Sequence, residues 1–490
     1  MGEQKGYVFL VGAGPGDVRL LTLKGEQVIK EADVILYDRL VNPLLLELAK
    51  PEAEFVYCGK LPDRHLLRQE SINELLVTYS QAGKRVVRLK GGDPSVFGRV
   101  GEEVQALEQA GIPYEIVPGI TAGIGAATYA GVPVTHRDHG ASFAMVTGHD
   151  KSDNGQPLLD WRGLATIDTI AFYMGVKNLP YICEQLLAHG KPGQTPVLLI
   201  QWGTLGKQKV LEGTIATISD EARRVGFSNP AITLIGDVAK LRTKESWFER
   251  QPLFGMHILF ARTGGGKSEI AAQLTGLGAT VFEYPRFQTI WESAPVPSFA
   301  EFQEIIFHSP ASVHWFFARL KEQRVDIRSL TADLYGASGK SVKAIESYAC
   351  LAYPVTKLTP HQQGKRLVIG EKKVGERLLP DYGSYQFCRS HRETVVAQSH
   401  MTCRRLLEED RIDTIVFPSA EAVRVVTEEI KACSQTPASL SSRAAVICFG
   451  PASANEAQRL GYEITETLQE PAREALREAL MKAQLAKGRV

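Results

Sequence analysis

The residues best placed to do chemistry stand just past short apolar runs. Val86-Val87-Arg88-Leu89 reads as a strand and ends in Lys90-Gly91-Gly92-Asp93-Pro94. Two glycines there let backbone approach a ligand without a Cβ in the way, and Pro94 forbids continuing the ladder. Tyr7-Val-Phe-Leu-Val11 runs into Gly12-Ala13-Gly14-Pro15-Gly16-Asp17, Val34-Ile-Leu-Tyr37 into Asp38-Arg39, and Phe55-Val-Tyr57 into Cys58-Gly59-Lys60. Ligands of open α/β sheets gather at carboxyl ends of strands, so Gly14, Asp38, Lys60 and Asp93 are expected to converge on one sheet edge. A dinucleotide fingerprint would need glycine where Asp17 stands; its charge would repel a pyrophosphate, and Pro15 spoils the start of a helix. The loop suits another small ligand. His136 and His139 have H-x-x-H spacing, but no carboxylate pattern accompanies them. They read as a substrate-facing or surface loop, and no metal site is expected. Gly264-Gly-Gly-Lys-Ser268 resembles a Walker loop, but Ala261 replaces its first glycine, so a loop opening a helix is expected.

The elements that must position these residues alternate. Helices are expected over Leu20–Glu31, Leu66–Gln81 and Gly98–Gly111, the last with Val100, Val104 and Leu107 on one face. Strands alternating with helices imply a mostly parallel sheet. After Glu115–Pro118 comes a run of small residues, Gly119–Ala127, then a second α/β unit with strands near Phe143–Thr147, Thr169–Tyr173, Val197–Gln201 and Ala231–Ile235. The stretch Thr243–Gly255 breaks the pattern and is read as a boundary. Beyond it the chain repeats: His257–Ala261 resembles Arg366–Gly370, Ile305–Ser309 resembles Ile415–Ser419, and Leu334–Gly336 resembles Cys448–Gly450, at offsets of 109, 110 and 114 residues. That predicts two similar α/β lobes. Glu470–Lys487, rich in Ala, Leu, Glu, Arg and Lys, is expected to be a solvated helix.

Composition sets the limits. The chain has 490 residues, 44% hydrophobic and 23% charged, enough for several cores and against extended disorder. A net charge of +1 gives no basic excess for nucleic acid. The seven cysteines form no C-x-x-C pair, which fits reduced thiols rather than a disulfide framework or zinc site. With no apolar run of bilayer length and no signal peptide, a soluble cytoplasmic protein with no membrane partner is expected.

GAGPGD at 12–17, YDRLV at 37–41, RLKGGDPSVFGRVGEE at 88–103, PGITAGIGAATYAGVPVTHR at 118–137, YMGV at 173–176, QWGT at 201–204 and NPAITLIGDV at 229–238 closely resemble uroporphyrinogen-III C-methyltransferases. The resemblance implies a tetrapyrrole-methylase-type α/β unit of two subdomains, residues 1–245, divided at about 117/118. It implies transfer of methyl groups from S-adenosylmethionine to two pyrrole carbons of uroporphyrinogen III, giving precorrin-2. Asp38 matches the family's proton acceptor and Lys60 its proposed proton donor; a plain carboxylate-binding lysine is the competing reading of Lys60. Cofactor contacts carry over to Pro15, Gly91, Gly92, Asp93, Val96, Thr121, Ala122, Met174 and Gly203. Asp93 has two readings, contact with the cofactor's amine or a helix cap before Ser95. Arg39, Arg64, Arg99, His136 and Arg137 are candidates to hold substrate carboxylates. A homodimer through this half is expected by analogy.

After a linker, 246–255, residues 256–490 resemble uroporphyrinogen-III synthases through ILFART at 258–263, FHSPASV at 307–313, VFPSAEAV at 416–423 and FGPASANEAQRLGYEI at 449–464. This implies a two-lobed α/β unit with the internal repeat. The chain would cross between lobes near Tyr284–Thr289 and His391–Val395, and hydroxymethylbilane would be closed to uroporphyrinogen III. Ser309, Ser312, Ser419 and the Gly450 loop are its candidate substrate contacts. His391 stands where the family has tyrosine, and Tyr335–Gly339 departs from the usual G-P-x-T. The alternatives are a methylase of a later corrin precursor carrying a non-catalytic binding module, and an NAD- or ATP-dependent enzyme built on one of the glycine loops.

Overall fold

The computed structural model describes residues 6–59, 68–149, 155–266, 268–358, 365–372, 384–469 and 473–486. Lys60, Arg64 and Lys267 lie outside them. By contacts the chain forms two compact units: residues 1–263, 267–285 and 397–490, and residues 264–266 with 286–396. The chain passes from one to the other at 263/264, 266/267, 285/286 and 396/397.

In the first unit, β1 (Tyr7–Gly12), β2 (Val34–Tyr37), β3 (Glu54–Tyr57), β4 (Arg85–Lys90) and β5 (Tyr114–Val117) form an all-parallel sheet in the order β3-β2-β4-β1-β5. Val8, Leu10, Val86 and Leu36 pack on one face, Phe9, Val11, Val87 and Leu89 on the other, the two-sided burial that a sheet covered by helices demands. Helices Leu23–Glu31, Gln69–Gln81 and Val100–Gln109 accompany it. The first starts three residues later than expected because Thr22 caps it, its side chain accepting from Gly25 N. The third begins only at Val100, since Phe97 and Arg99 take left-handed conformations (φ +55° and +57°) that a helix cannot continue through.

A second sheet joins β6 (Phe143–Thr147), β7 (Thr169–Tyr173), β8 (Pro196–Gln201), β9 (Lys209–Thr214) and β10 (Ala231–Ile235) in the order β6-β7-β10-β8-β9. Only β6 and β7 run parallel; the other pairs are antiparallel. Strand β9 carried no clear sequence signal, because its residues are half-exposed with no strict alternation. The helix Ala122–Tyr129 packs Ala126 and Ala127 against this sheet's Ala171, Leu198 and Leu234, which explains the run of small residues. The stretch 243–255 is well packed: Phe248 stacks edge-on against Tyr129, and Leu253 is buried.

The remaining strands are β11 (His257–Ala261), β12 (Thr280–Tyr284), β13 (Phe287–Trp291), β14 (Glu304–Phe307), β15 (Asp333–Gly336), β16 (Tyr353–Pro354), β17 (Arg366–Gly370), β18 (Tyr385–Arg389), β19 (His391–Val395), β20 (Thr414–Phe417), β21 (Ala445–Cys448) and β22 (Glu466–Thr467). In the first unit the order is β12-β11-β20-β21-β22; in the second it is β16-β15-β14-β17-β18. The repeat is therefore real, but each sheet takes the first strand of one copy and the following strands of the other: β11 pairs with β20, and β17 with β14. A two-stranded ribbon, β13 with β19, belongs to the second unit.

The C-terminal helix, Arg473–Ala486, corrects the expectation of a solvated helix. Leu476, Ala479 and Leu480 are buried against Ile258, Phe260, Val416 and Ile447. Leu476, Ala479 and Leu480 share one face at helical spacing, while Leu485 is exposed, a pattern that composition alone conceals.

Candidate active site

Three loops meet at the carboxyl edge of the first sheet. Gly14 and Gly92 exchange backbone hydrogen bonds: Gly14 N donates to Gly92 O (3.1 Å) and Gly92 N to Gly14 O (2.8 Å). Gly12 and Gly119 touch backbone to backbone; a Cβ on Gly12 would lie 2.6 Å from Gly119 Cα. Gly92 has φ +72°, and its missing Cβ points at Ala122 N and Thr121 Cα, 3.7 and 3.8 Å away. Glycine at these positions is what lets the loops close on one another and leaves backbone bare toward a ligand.

The second sheet supplies the other wall. Tyr173, the last residue of β7, shares a hydrogen bond with Thr121 Oγ1 (2.7 Å) and accepts from Gly123 N (2.6 Å), and Phe97 leans on its ring at 5.0 Å. Met174 follows, 48% exposed. Gly203 lies against Ala126, Pro15 against Gly125, and Thr204 Oγ1 accepts from Asp17 N (3.0 Å). Nine described non-glycine residues have positive φ, and five of them, Phe97, Arg99, Met174, Trp202 and Thr204, flank this region. Backbone held in such sparsely populated conformations gathers where a site must be pre-organised. The structure thus brings together Pro15, Gly91, Gly92, Asp93, Thr121, Ala122, Met174 and Gly203. Val96 sits in the adjoining turn, its N–H donating to Asp93 O.

Asp93 caps a turn and not a helix, because the next helix starts only at Val100. Its Oδ1 accepts from Ser95 N (2.7 Å) and its Oδ2 from Gly119 N (2.9 Å), tying two of the loops together.

Asp38 closes the expected set on the other side of β4. Arg88 Nη2 donates to both its oxygens, 2.8 Å to Oδ1 and 3.0 Å to Oδ2. Behind it, Arg88 Nε donates to Glu103 Oε1 (3.1 Å) and Lys90 Nζ to Glu103 Oε2 (2.7 Å). Glu103 is fully buried and the Arg88 side chain 3% exposed, against 31% for Asp38. Burial pulls the Arg88 pKa down, but the charges of Asp38 and Glu103 outweigh it and leave it raised. Lys90 is lowered by burial, only partly offset by Glu103. Asp38 is therefore the solvent-facing end of a chain of four alternating charges. Arg88, Lys90 and Glu103 were missed in the sequence, although a signal existed: two cations at i and i+2 after the apolar pair Val86-Val87.

The candidate substrate residues are less gathered. Arg39 is exposed beside Asp38. Arg99 forms a two-pronged pair with Glu102 (2.7 and 2.6 Å). His136 Nδ1 accepts from Asp138 N (3.1 Å) and stacks near His139, and Arg137 lines an open cavity with His139, Asp168 and Lys191. Among the described residues no cluster of three metal-ligating side chains occurs. The serines of the second half are helix caps: Ser309 with Ser312 forms a capping box on Pro310–Glu322, and Ser419 accepts from Ala422 N. His391 is buried, its pKa lowered by burial, and is bonded to Ser390 Oγ (2.8 Å).

A parallel sheet whose glycine loops and charged strand ends face a second, mixed sheet defines a two-subdomain α/β protein with a small-molecule site where the loops meet. Residues 7–219 match the family Tetrapyrrole (Corrin/Porphyrin) Methylases. The chain is 45% identical over 457 residues to a uroporphyrinogen-III C-methyltransferase of Bacillus subtilis, spanning 92% of this chain and 93% of that one. It is 58% identical over 234 residues to the enzyme of that name from Priestia megaterium, 48% of this chain and 98% of the relative. The solved uroporphyrin-III C-methyl transferase of Thermus thermophilus, complexed with S-adenyl homocysteine, is 39% identical, covering 48% of this chain and 100% of its own, with a TM-score of 0.43. This chain belongs to the tetrapyrrole methylase family.

Proposed function

We propose that the first half transfers methyl groups from S-adenosylmethionine to two pyrrole carbons of uroporphyrinogen III, giving precorrin-2, and that the second half makes that substrate by closing hydroxymethylbilane. The observation that carries the first part is the meeting of the Gly14, Gly92 and Gly119 loops beside Asp38 in a chain of this family. The loops suit the cofactor: bare backbone at Gly92 and exposed apolar surface on Phe97 and Met174 match a bent nucleoside sulfonium. When bound, the cofactor supplies a methyl group already activated on a sulfonium.

The chain's own part is alignment, exclusion of water and proton handling. Thr121, Ala122 and Met174 line the cofactor's side, and Asp93, which ties the loops together, is placed to meet the cofactor's amine. As a pyrrole carbon takes up the methyl, the ring becomes cationic. Asp38, held by Arg88 yet partly open to solvent, faces that charge and accepts the proton that must leave. Lys60 is proposed as the donor. Arg39, Arg64, Arg99, His136 and Arg137 hold the substrate's carboxylates.

For the second half the support is the paired five-stranded sheets with exchanged first strands and the sequence resemblance; Ser309 and Ser419 are its proposed substrate contacts. A homodimer through the methylase half is supported by the exposed apolar residues Leu40, Ile116, Ile120 and Ile124.

The test gives purified protein hydroxymethylbilane and S-adenosylmethionine and follows absorbance and product mass. A dimethylated product at the precorrin-2 mass, absent without the cofactor, is expected. Methylation only of ready-made uroporphyrinogen III would remove the second activity. No methylation of either would overturn the reading.

A further inference from the structure

The turn that carries Asp38 is gripped from the far half of the chain. The helix Gln398–Glu408 packs on the 3-10 segment Pro43–Leu48, within the first compact unit. From it Arg405 Nη2 donates to Arg39 O (2.6 Å) and Val41 O (3.1 Å). These are the carbonyls on either side of Leu40, in a turn closed by Val41 N donating to Asp38 O (3.2 Å). The guanidinium lies over the rings of Tyr37 and Tyr57, 5.6 and 5.7 Å from their centroids, and Nε donates to Glu409 Oε1 (2.8 Å). On the same helix, Met401 Sδ accepts from Tyr37 hydroxyl (3.8 Å) and Gln398 Nε2 donates to Pro51 O.

The turn leads straight into the site. A Cβ on Gly91 would come within 3.0 Å of Leu40 Cβ, so Leu40 bears on the cofactor loop, and Asn42 Nδ2 donates to Gly16 O (2.8 Å) in the first glycine loop. Asp38 is thus set by three restraints: its own pair with Arg88, Asn42 below, and Arg405 above. The third comes from a residue 366 positions beyond Arg39. A planar fork bridging two carbonyls while stacked on two rings is a fixed geometry that lysine, a point charge on a flexible stem, does not reproduce.

We propose that Arg405 is a positioning residue for methyl transfer: the second half of the chain braces the Asp38–Val41 turn. This rests on the reading of Asp38 given above. Arg405's hydrogen bonds go to Glu409 and to the carbonyls of Arg39 and Val41, not to the glycine loops, so its loss should lower kcat and leave cofactor binding intact. A displacement of the order of 1 Å at reacting groups can cost as much as about 10²-fold, and two restraints remain, so a fall of about ten-fold is expected.

The experiment uses the full chain with uroporphyrinogen III and S-adenosylmethionine supplied. Arg405→Ala should lower kcat about ten-fold with KM for S-adenosylmethionine within about two-fold, and Arg405→Lys should recover only part of it. Deuterium uptake by the peptide over residues 38–46 should rise in Arg405→Ala. If that variant does not fold, Arg405→Lys carries the test, with reduced kcat and faster uptake expected. A folded variant with wild-type kcat and uptake overturns the proposal. So does a loss that appears only as weaker cofactor binding or lower melting temperature. A wild-type protein that transfers no methyl group would instead overturn the proposed function itself.

Discussion

Replacing Arg88 by methionine should destabilise the first sheet strongly, and the size of the loss follows from the charges around it. Arg88, Lys90, Glu103 and Asp38 sum to zero, and all but Asp38 are out of water. Methionine fills much of the space but leaves Glu103 with one cation instead of two, and Asp38 with none. Removing one member of a buried ion pair typically costs about 3–5 kcal/mol, because the remaining charge is stranded. Glu103 keeps Lys90 at 2.7 Å and a hydrogen bond from Gln69 Nε2 at 3.3 Å, so the lower end applies, about 3 kcal/mol. For a domain of this size each kcal/mol shifts melting by about 2–4 °C, which puts the expected fall at roughly 6–12 °C. The assay is calorimetric melting of wild type, Arg88→Met, Glu103→Gln and the double variant at neutral pH. Because the two side chains share one network, the double variant should lose less than the sum of the single losses. A melting temperature within 2 °C of wild type for Arg88→Met (a loss of about 1 kcal/mol or less), or strict additivity, would refute the reasoning.

Asp38→Asn should lower kcat for methyl transfer by about 10²–10⁴-fold while calorimetric binding of S-adenosylmethionine is retained, since the proton acceptor, not the cofactor wall, is removed. Lys207 Nζ lies 3.7 Å from the centroid of the Trp202 ring, and its pKa is pushed down from 10.5 to about 8, first by burial and then by the charge of Arg411. The folded protein therefore sheds this proton before the unfolded chain does. Stability relative to Lys207→Met should rise as pH climbs from 8 to 10.5, and a flat difference in denaturation midpoints across that window would contradict it. Leu480→Ala should cost about 2–5 kcal/mol in denaturant unfolding, because Leu480 is fully buried; an exposed helix would lose almost nothing.

The amino-acid sequence determined the elements and most of their order. Apolar runs ending in glycine, proline or charge located β1, β2, β4 and the loops after them, because two-sided burial and turn chemistry are written locally. It also showed the repeat, since each copy keeps its own strand–turn–helix signals. Three kinds of fact were decided only in three dimensions. Strand exchange between the repeat copies depends on which strands pair, and pairing partners leave no mark in a strand's own periodicity. Asp93 could serve a ligand or a loop in the sequence; only the fold shows that Gly119, 26 residues away, donates to its second oxygen. The restraints on Asp38 come from Arg88, 50 residues on, and Arg405, 367 residues on, whose types were visible but whose targets were not. Local chemistry fixes where the chain can bend and what it can bury. Which charge meets which is set by packing between elements far apart in the chain, and that is where this site acquires its geometry.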